Sequence, residues 1–439
     1  MMTSGLRLSI KEKLSYFILL FIGFQQFPVI RIGGSLKIYE VLALILLVIN
    51  LATYRPKKIS LISLMASMFF VVSPIVSYVF SLLILDYPYE FYNKYPAADG
   101  FKFNYYIFPL LQLVYMFFNY AAFNSISTSL RLAENIDRLL RGVIIVGTII
   151  ATYSIIATFT VDVITYLPNI IQNKSVYTFR SSGLSQEPSF YVLYQSWICL
   201  FVFFTKRLFN KAFWITLLVI NVLSLILTFS STLVGLTLVI VVSIFLLNNS
   251  FKVKLMTTFL IMICFFLGAY LIAYYDVYDA FEYTFITKVQ SFFAAPEHTL
   301  DSGSYRSYTG AIGMRIFKEH FFTGVGVGNS VYYMHIYEFR MGIITFGEML
   351  QPGAFPQNVF SSVLSEQGIF GGIFLFMLLF LILKSFWKYR NSSGYSKMFF
   401  IGASFNIITM FTIAPVYSFF LWAFLALGLC YLKTLHTSK

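Results

Sequence analysis

Ten residues, Arg180-Ser-Ser-Gly-Leu-Ser-Gln-Glu-Pro-Ser189, bring a guanidinium, a carboxylate and four hydroxyls to the start of an apolar run. A guanidinium at such a boundary must find an anion or water, and its planar fork suits a pyrophosphate. Pro188 fits the first turn of a helix, where its missing N–H costs nothing, and an acid beside it favours the positive end of the helix dipole. Glu187 therefore reads either as a helix-start residue or as a catalytic carboxylate. A second segment, Gly324-Val-Gly-Val-Gly-Asn-Ser330, has the glycine spacing of a phosphate-cradling loop but follows no predicted strand. It reads as a tight turn that returns the chain to its neighbours. A third runs from Gln357-Asn358 through Glu366 to Gly372. Gln357 and Asn358 stand where a helix begins, offering side-chain amides and free backbone N–H groups. Glu366 lies about two turns deeper, at a depth where an acid must be protonated, paired or beside water, so it is either functional or an interior anchor.

The last two segments lie in or border a polar stretch, Asp276 to Gln357, whose 82 residues hold 13 of the 49 charged residues and three of the four histidines. Between Tyr305 and Phe322, apolar Ile312, Met314, Ile316 and Phe317 alternate with Arg315, Lys318 and Glu319, which predicts one or two short helices. Arg306 and Arg315 are nine positions apart, about 900° of helical rotation. They face opposite sides of a continuous helix and reach one site only if the segment bends. Arg340 adds a further cation for an acidic sugar or a phosphate. His298, His320 and His335 are spaced by 22 and 15 residues, without the short pairing that brings two imidazoles to one metal. They are expected to be hydrogen-bonding histidines, and no metal site is expected.

The elements that must position these groups are membrane helices. Hydrophobic residues make up 59% of the 439 positions, charged ones 11%, and the mean hydropathy is +0.78, which a soluble surface does not tolerate. The charge-free run from Ala212 to Phe251 is 40 residues, about 60 Å as one helix against a bilayer core of about 30 Å. It must cross twice, turning near Ser230, Ser231 and Thr232. The same length rule predicts spans near 14–30, 36–53, 59–85, 104–123, 142–167, 188–205, 212–229, 232–248, 255–275, 358–383, 398–414 and 416–434, twelve in all. The first has no small-residue cleavage site after it and reads as a retained span. The fold class is thus an all-α polytopic membrane protein, with spans one to nine in residues 1–275, a large outside loop at 276–357 and spans ten to twelve in 358–439.

Lys and Arg set the orientation, since positive loops are held in the cytoplasm. Both termini are then cytoplasmic, with clusters such as Arg138 and Arg141, Lys206 and Arg207, and Lys384, Lys388 and Arg390 inside. The net charge of +13 is dispersed at helix ends, which points to membrane lipids as partners and not to nucleic acid. Cys199, Cys264 and Cys430 each fall within a predicted span, so no extracellular disulfide framework is expected. Asp86 to Phe103, rich in Tyr and Phe, reads as an aromatic belt or a sugar-stacking platform, and Ser125 to Arg141 as an interfacial helix or a solvated loop.

At RSSGLSQEPS (180–189), GVGVGNS (324–330) and QNVFSSVLSEQGIFGG (357–372), with FPVIRIGGSLKIYEVLAL (27–44) as an opening hairpin, the chain resembles the O-antigen polymerase and O-antigen ligase superfamily of bacterial inner-membrane proteins (Wzy and WaaL types). The resemblance runs through most of the chain in order and spacing. It implies a GT-C-like glycosyltransferase architecture and metal-independent, inverting glycosyl transfer at the periplasmic face. The substrates implied are undecaprenyl-pyrophosphate-linked oligosaccharides, with no cofactor, and the protein partner implied is a chain-length regulator. Arg180 with Arg306 or Arg315 would steady the pyrophosphate leaving group, Glu187 would be the base for the acceptor hydroxyl, and Arg340, Gln357 and Asn358 would contact substrate. Ligases of the superfamily usually begin the last motif with His, where this sequence has Gln357. Gln cannot take up a proton, which tilts the reading toward a Wzy-like polymerase.

Two other readings compete. An O-antigen ligase would use the same donor and lipid A-core as acceptor. A lipid-linked oligosaccharide flippase also has about twelve spans, but flippases tend to carry several charges within spans and short outside loops. Here Glu40, Asp162 and Glu366 are the main acids within spans, and one outside stretch is 82 residues long.

Overall fold

The computed structural model describes residues 8–25, 29–31, 35–53, 59–84, 107–160, 181–185, 187–228, 302–340, 354–411 and 418–437, with isolated positions between 230 and 247. Helix α1 (Ile10–Phe21) leads to a short antiparallel pair, β1 (Val29–Arg31) with β2 (Ser35–Lys37), in which Val29 faces Lys37 and Arg31 faces Ser35. This pair falls within 27–44 and departs from the all-α reading of the chain. Then follow α2 (Ile38–Ala52), α3 (Leu61–Ser67) joined through a π-turn at Met68–Val72 to α4 (Ser73–Ile84), α5 (Ile107–Thr128), α6 (Leu130–Glu134) and α7 (Ile136–Phe159). After these come α8 (Pro188–Phe204), α9 (Lys211–Ile226), α10 (Ser302–Glu319), α11 (Ser330–Arg340), α12 (Val359–Tyr389), α13 (Gly394–Thr409) and α14 (Phe419–Thr437).

Among the described residues, four helices are long and apolar enough to cross a membrane: Leu61–Leu83, Ile107–Thr128, Ile136–Phe159 and Val359–Tyr389. Four shorter apolar ones, Ile38–Ala52, Pro188–Phe204, Lys211–Ile226 and Phe419–Leu435, accompany them. The architecture is that of a multi-pass α-helical membrane protein. Helix α1 has 12 residues, about 18 Å, short of a bilayer core of about 30 Å. The spans expected near 232–248 and 255–275 lie mostly or wholly outside the described residues, as do Asp86 to Phe103 and Asp162.

Local chemistry explains where the helices begin. Ser9 and Glu12 form a reciprocal capping box at α1. The side chains of Asn210, Asn358 and Ser393 accept from Phe213 N–H at 2.8 Å, Ser361 N–H at 2.7 Å and Ser396 N–H at 3.0 Å. Each satisfies an N–H that the first turn leaves without an intrahelical acceptor.

The core is aromatic. Trp197 on α8 meets Phe424 on α14 with ring centroids 5.4 Å apart, and Trp422 meets Phe70 at 4.9 Å. Gly402 on α13 makes room for this packing, since a Cβ there would lie 2.2 Å from the Trp197 ring. A buried polar link crosses α7, α8 and α9: Gln195 Nε2 donates to Asn221 Oδ1 at 2.7 Å, and Asn221 Nδ2 to Thr148 Oγ1 at 2.7 Å. In hydrocarbon, where water is absent, such pairing fixes helix register. At the basic end of the bundle Arg207 donates to Asp137 at 3.0 Å and Tyr395 Oη donates to the same oxygen at 2.6 Å, tying α7 and α13 to the turn after α8.

The stretch from Ser125 to Arg141 differs from the interfacial helix expected there. It divides among the end of α5, the short α6 and the start of α7. Ile126, Leu132, Ile136 and Leu139 are buried inside the protein, Leu132 beside Cys430. The amphipathic spacing was real, but its apolar side is covered by protein and not by lipid.

Candidate active site

Glu187 is the N-cap of α8 in extended conformation, and Pro188 takes the first helical position. The Ser189 hydroxyl donates to Glu187 Oε2 at 3.2 Å. From α10, Arg306 reaches the same spot: its Nη2 donates to Ser189 Oγ at 3.0 Å and stands 3.8 Å from Glu187 Oε2. Burial holds the Arg306 guanidinium below its ordinary range, and the neighbouring Glu187 carboxylate opposes that shift. A cation, a carboxylate and a hydroxyl that are 117 and 119 positions apart in the chain thus converge on one helix N-terminus.

One turn along α10, Thr309 Oγ1 donates to the Arg306 carbonyl at 3.1 Å and accepts from the Gln357 backbone N–H at 3.2 Å. Gln357 is half-buried, and Asn358 is spent as the N-cap of α12, its Oδ1 on Ser361 N–H. Helix α10 can lie this close because Gly310 and Gly313 lack side chains. A Cβ on Gly310 would meet Asn358 Nδ2 at 2.7 Å, and one on Gly313 would meet Pro356 at 2.8 Å. The N-termini of α8 and α12 thus flank the Arg306 face of α10.

The other expected residues go elsewhere. Helix α10 runs without a break from Ser302 to Glu319, so Arg315 faces away from Arg306, exposed and paired with Glu319 at 3.0 Å. The bend needed to bring both arginines to one site is absent from this helix. Arg340 ends α11, and Arg180 lies outside the described residues. His320 shares a 3.0 Å hydrogen bond with Tyr337, and His335 Nδ1 is 3.7 Å from Glu338, which accepts from Tyr308 at 2.9 Å. Burial, reinforced by that carboxylate, pushes the Tyr308 phenol up from its ordinary value. His298 is outside the described residues.

The glycine segment supports the site from behind. Gly324, Gly326 and Gly328 have φ of +65°, +96° and +77°, in the left-handed region that other residues rarely enter. Helix α12 is itself interrupted at Gly368, φ +64° and ψ −160°, which strands the carbonyls of Ser365 and Glu366. Val325 and Gly326 donate to these two oxygens at 2.9 Å each, and Ile369 N–H returns a bond to the Phe321 carbonyl at 2.8 Å. Ser77 on α4 also donates to the Glu366 carbonyl. The Glu366 side chain, 3% exposed, accepts from Ser330 Oγ at 2.6 Å where α11 begins. Glu366 thus serves as an interior anchor. The N–H groups of Gly324, Val325, Gly326 and Asn329 are all committed to protein acceptors, so the segment is a docking turn and not a phosphate cradle.

Residues 216–376 match the family model Wzy_C, described as O-antigen ligase. Over those residues the chain is similar to that family, which supports the resemblance to the O-antigen polymerase and ligase superfamily. It begins within α9 and ends within α12, so it takes in Arg306, Thr309, the docking turn and Gln357, but not Glu187 or Ser189. No curated protein matches the chain. Superfamily members are glycosyltransferase-like enzymes that act on lipid-linked glycans.

Ser189 and Thr309 were not singled out from the sequence as site residues. The signals were present: Ser189 follows Pro188 in the first turn of α8, and Thr309 stands three positions from Arg306, one turn along a helix face. Without knowing which helices meet, neither hydroxyl stands out from its neighbours.

Proposed function

We propose that the protein is an O-antigen polymerase that joins undecaprenyl-pyrophosphate-linked oligosaccharide repeat units by metal-independent, inverting glycosyl transfer at the periplasmic face of the inner membrane. The observation that carries this reading is Arg306, drawn from α10 onto Ser189 and Glu187 at the start of α8. In the reaction the acceptor hydroxyl attacks the anomeric carbon from the face opposite the pyrophosphate. The new C–O bond forms as the glycosyl–phosphate bond breaks, and undecaprenyl pyrophosphate departs with the bonding electrons. Arg306 stabilises the negative charge that grows on the leaving group, together with Arg180 from the same serine-rich segment. Glu187 takes the acceptor proton late in the step. Gln357 and Asn358 line the acceptor side, with Arg315 and Arg340 further out as contacts to acidic sugars. A twelve-span, GT-C-like bundle with both termini cytoplasmic completes the proposal, and a chain-length regulator would be a further partner.

The matched description, O-antigen ligase, favours a second reading in which lipid A-core is the acceptor. Gln357 in place of the usual His weighs against it. Incubating the purified protein in liposomes with its lipid-linked repeat unit separates the two. A ladder of oligomers on a gel is the expected product of the polymerase. Unchanged repeat units, with transfer only after lipid A-core is added, would establish the ligase.

Gln357→Ala tests the acceptor side. The backbone N–H that Thr309 holds is retained in that variant, so only the side-chain amide is lost. A lost neutral hydrogen bond is worth about 0.5–1.5 kcal/mol, so polymerisation should fall by less than about tenfold. Complete loss with the protein still folded would make Gln357 indispensable to the chemistry.

A further inference from the structure

The first residues after α10 pose a question that glycosyl transfer does not answer. Phe321 and Phe322 open the docking turn and are 44% and 67% exposed; Phe321 meets Phe322 edge-to-face at 5.3 Å and Phe317 in a tilted contact at 5.1 Å. Met314, also exposed, lies one turn behind Phe317, so these four residues form an apolar ridge on a segment that the sequence assigns to the aqueous outside loop.

Their depth can be read from α12. The Phe322 carbonyl abuts Gly368, and the Phe321 carbonyl accepts from Ile369. Counting from Gly368 to the exposed Lys384, the first of the charges that close α12, gives 16 residues, about 24 Å of helix. A bilayer core is about 30 Å thick, so with Lys384 at one boundary, Phe321 and Phe322 stand inside the other. An exposed apolar strip on α12 itself, made by Phe370, Ile373, Phe376 and Phe380, begins one residue beyond the bond from Ile369 to Phe321. Lys318, about 40° around α10 from Met314, sits one turn above the phenylalanines. There its apolar stem can follow the ridge while its ammonium reaches the headgroups.

We infer that Met314, Phe317, Phe321 and Phe322 form a wedge inserted among the acyl chains of the leaflet at the Val359 end of α12. The C-terminal part of α10 and the docking turn are then re-entrant. Their backbone at membrane depth is tolerated because its polar groups are satisfied by the break in α12. The occupant of the wedge face is bulk lipid, since the wedge is joined to α12 where that helix's exposed apolar strip begins. Arg306, about four turns up α10 from the wedge, then stays outside the acyl-chain core.

The test is a spin label at Phe322→Cys, with Cys199, Cys264 and Cys430 replaced by serine, in lipid nanodiscs. Collisions with oxygen should exceed those with a water-soluble nickel chelate severalfold, as at a Phe376→Cys control. The exposed Ser307→Cys, nearer the start of α10, should show the reverse order. Dominant nickel collisions at 322 would put the turn in water and overturn the inference. Low collisions with both would mean a second copy of the chain covers the face, which also overturns it. If the labelled protein does not fold, Phe322→Trp in the unaltered cysteine background gives the same decision. Its added fluorescence should be quenched by lipids brominated on the acyl chain and not by aqueous iodide, and quenching by iodide would refute the wedge.

Discussion

Arg306→Ala should lower the rate of glycosyl transfer by about 100-fold or more while leaving the protein folded. Removing one preorganised group that stabilises transition-state charge typically costs two to three orders of magnitude. The folding cost is small because the partners left behind are not stranded: the Glu187 side chain is 43% exposed and can be hydrated, and Ser189 keeps its bond to Glu187. Arg306→Lys should recover part of the activity, since an ammonium restores charge but not the bidentate fork. Assay of purified variants with matched thermal unfolding midpoints checks this. Near-normal transfer by Arg306→Ala would remove Arg306 from the leaving-group role and leave it as a tie between α8 and α10. Glu187→Gln gives the complementary result. A general base contributes about 10²–10⁴-fold, so the amide should be nearly inactive even though it can still accept from Ser189. Retained activity there would assign Glu187 to the helix start alone.

How much of this was legible without coordinates follows from the range of each signal. Hydropathy and length are local, so the helices at 38–52, 61–84, 107–128, 136–159, 188–204 and 359–389 lie close to where the apolar runs predict them. The caps at Asn210 and Asn358 are equally local. The helical period alone decided Arg315: on an unbroken α10 it had to face away from Arg306, and it does. The meeting of Arg306 with Ser189 was not legible, because no periodicity says which membrane helices are neighbours when nearly every face is apolar. For the same reason the apolar side of Ser125–Arg141 was assigned to lipid when protein covers it. Glu366 and the glycine segment were each noticed separately. Their union depends on the break at Gly368, and a glycine in a membrane helix is too common to announce a break by its type.

Gly324→Val should leave little folded protein. Residue 324 has φ +65°, a conformation that costs a non-glycine residue about 1–3 kcal/mol and a β-branched one more. The added Cβ would lie 2.4 Å from the Glu366 carbonyl carbon and 2.6 Å from Gln367 N, and backbone cannot swing aside as a side-chain tip can. Pushing the turn off α12 would also strand the Ser365 carbonyl, leave the Glu366 carbonyl with Ser77 in place of two donors, and separate Ser330 from the Glu366 carboxylate. Buried polar groups left unsatisfied cost about 1–3 kcal/mol each, so the combined loss reaches the scale of a domain's whole stability margin, about 5–15 kcal/mol. The expected result is aggregated protein on size-exclusion chromatography in detergent. Glu366→Gln is the milder counterpart, because an amide oxygen can still accept from Ser330. It should fold with a lowered unfolding temperature and keep transfer activity. Wild-type stability in Gly324→Val would mean that the turn does not depend on its contact with α12. Loss of activity in a fully stable Glu366→Gln would give that carboxylate a part in the reaction itself.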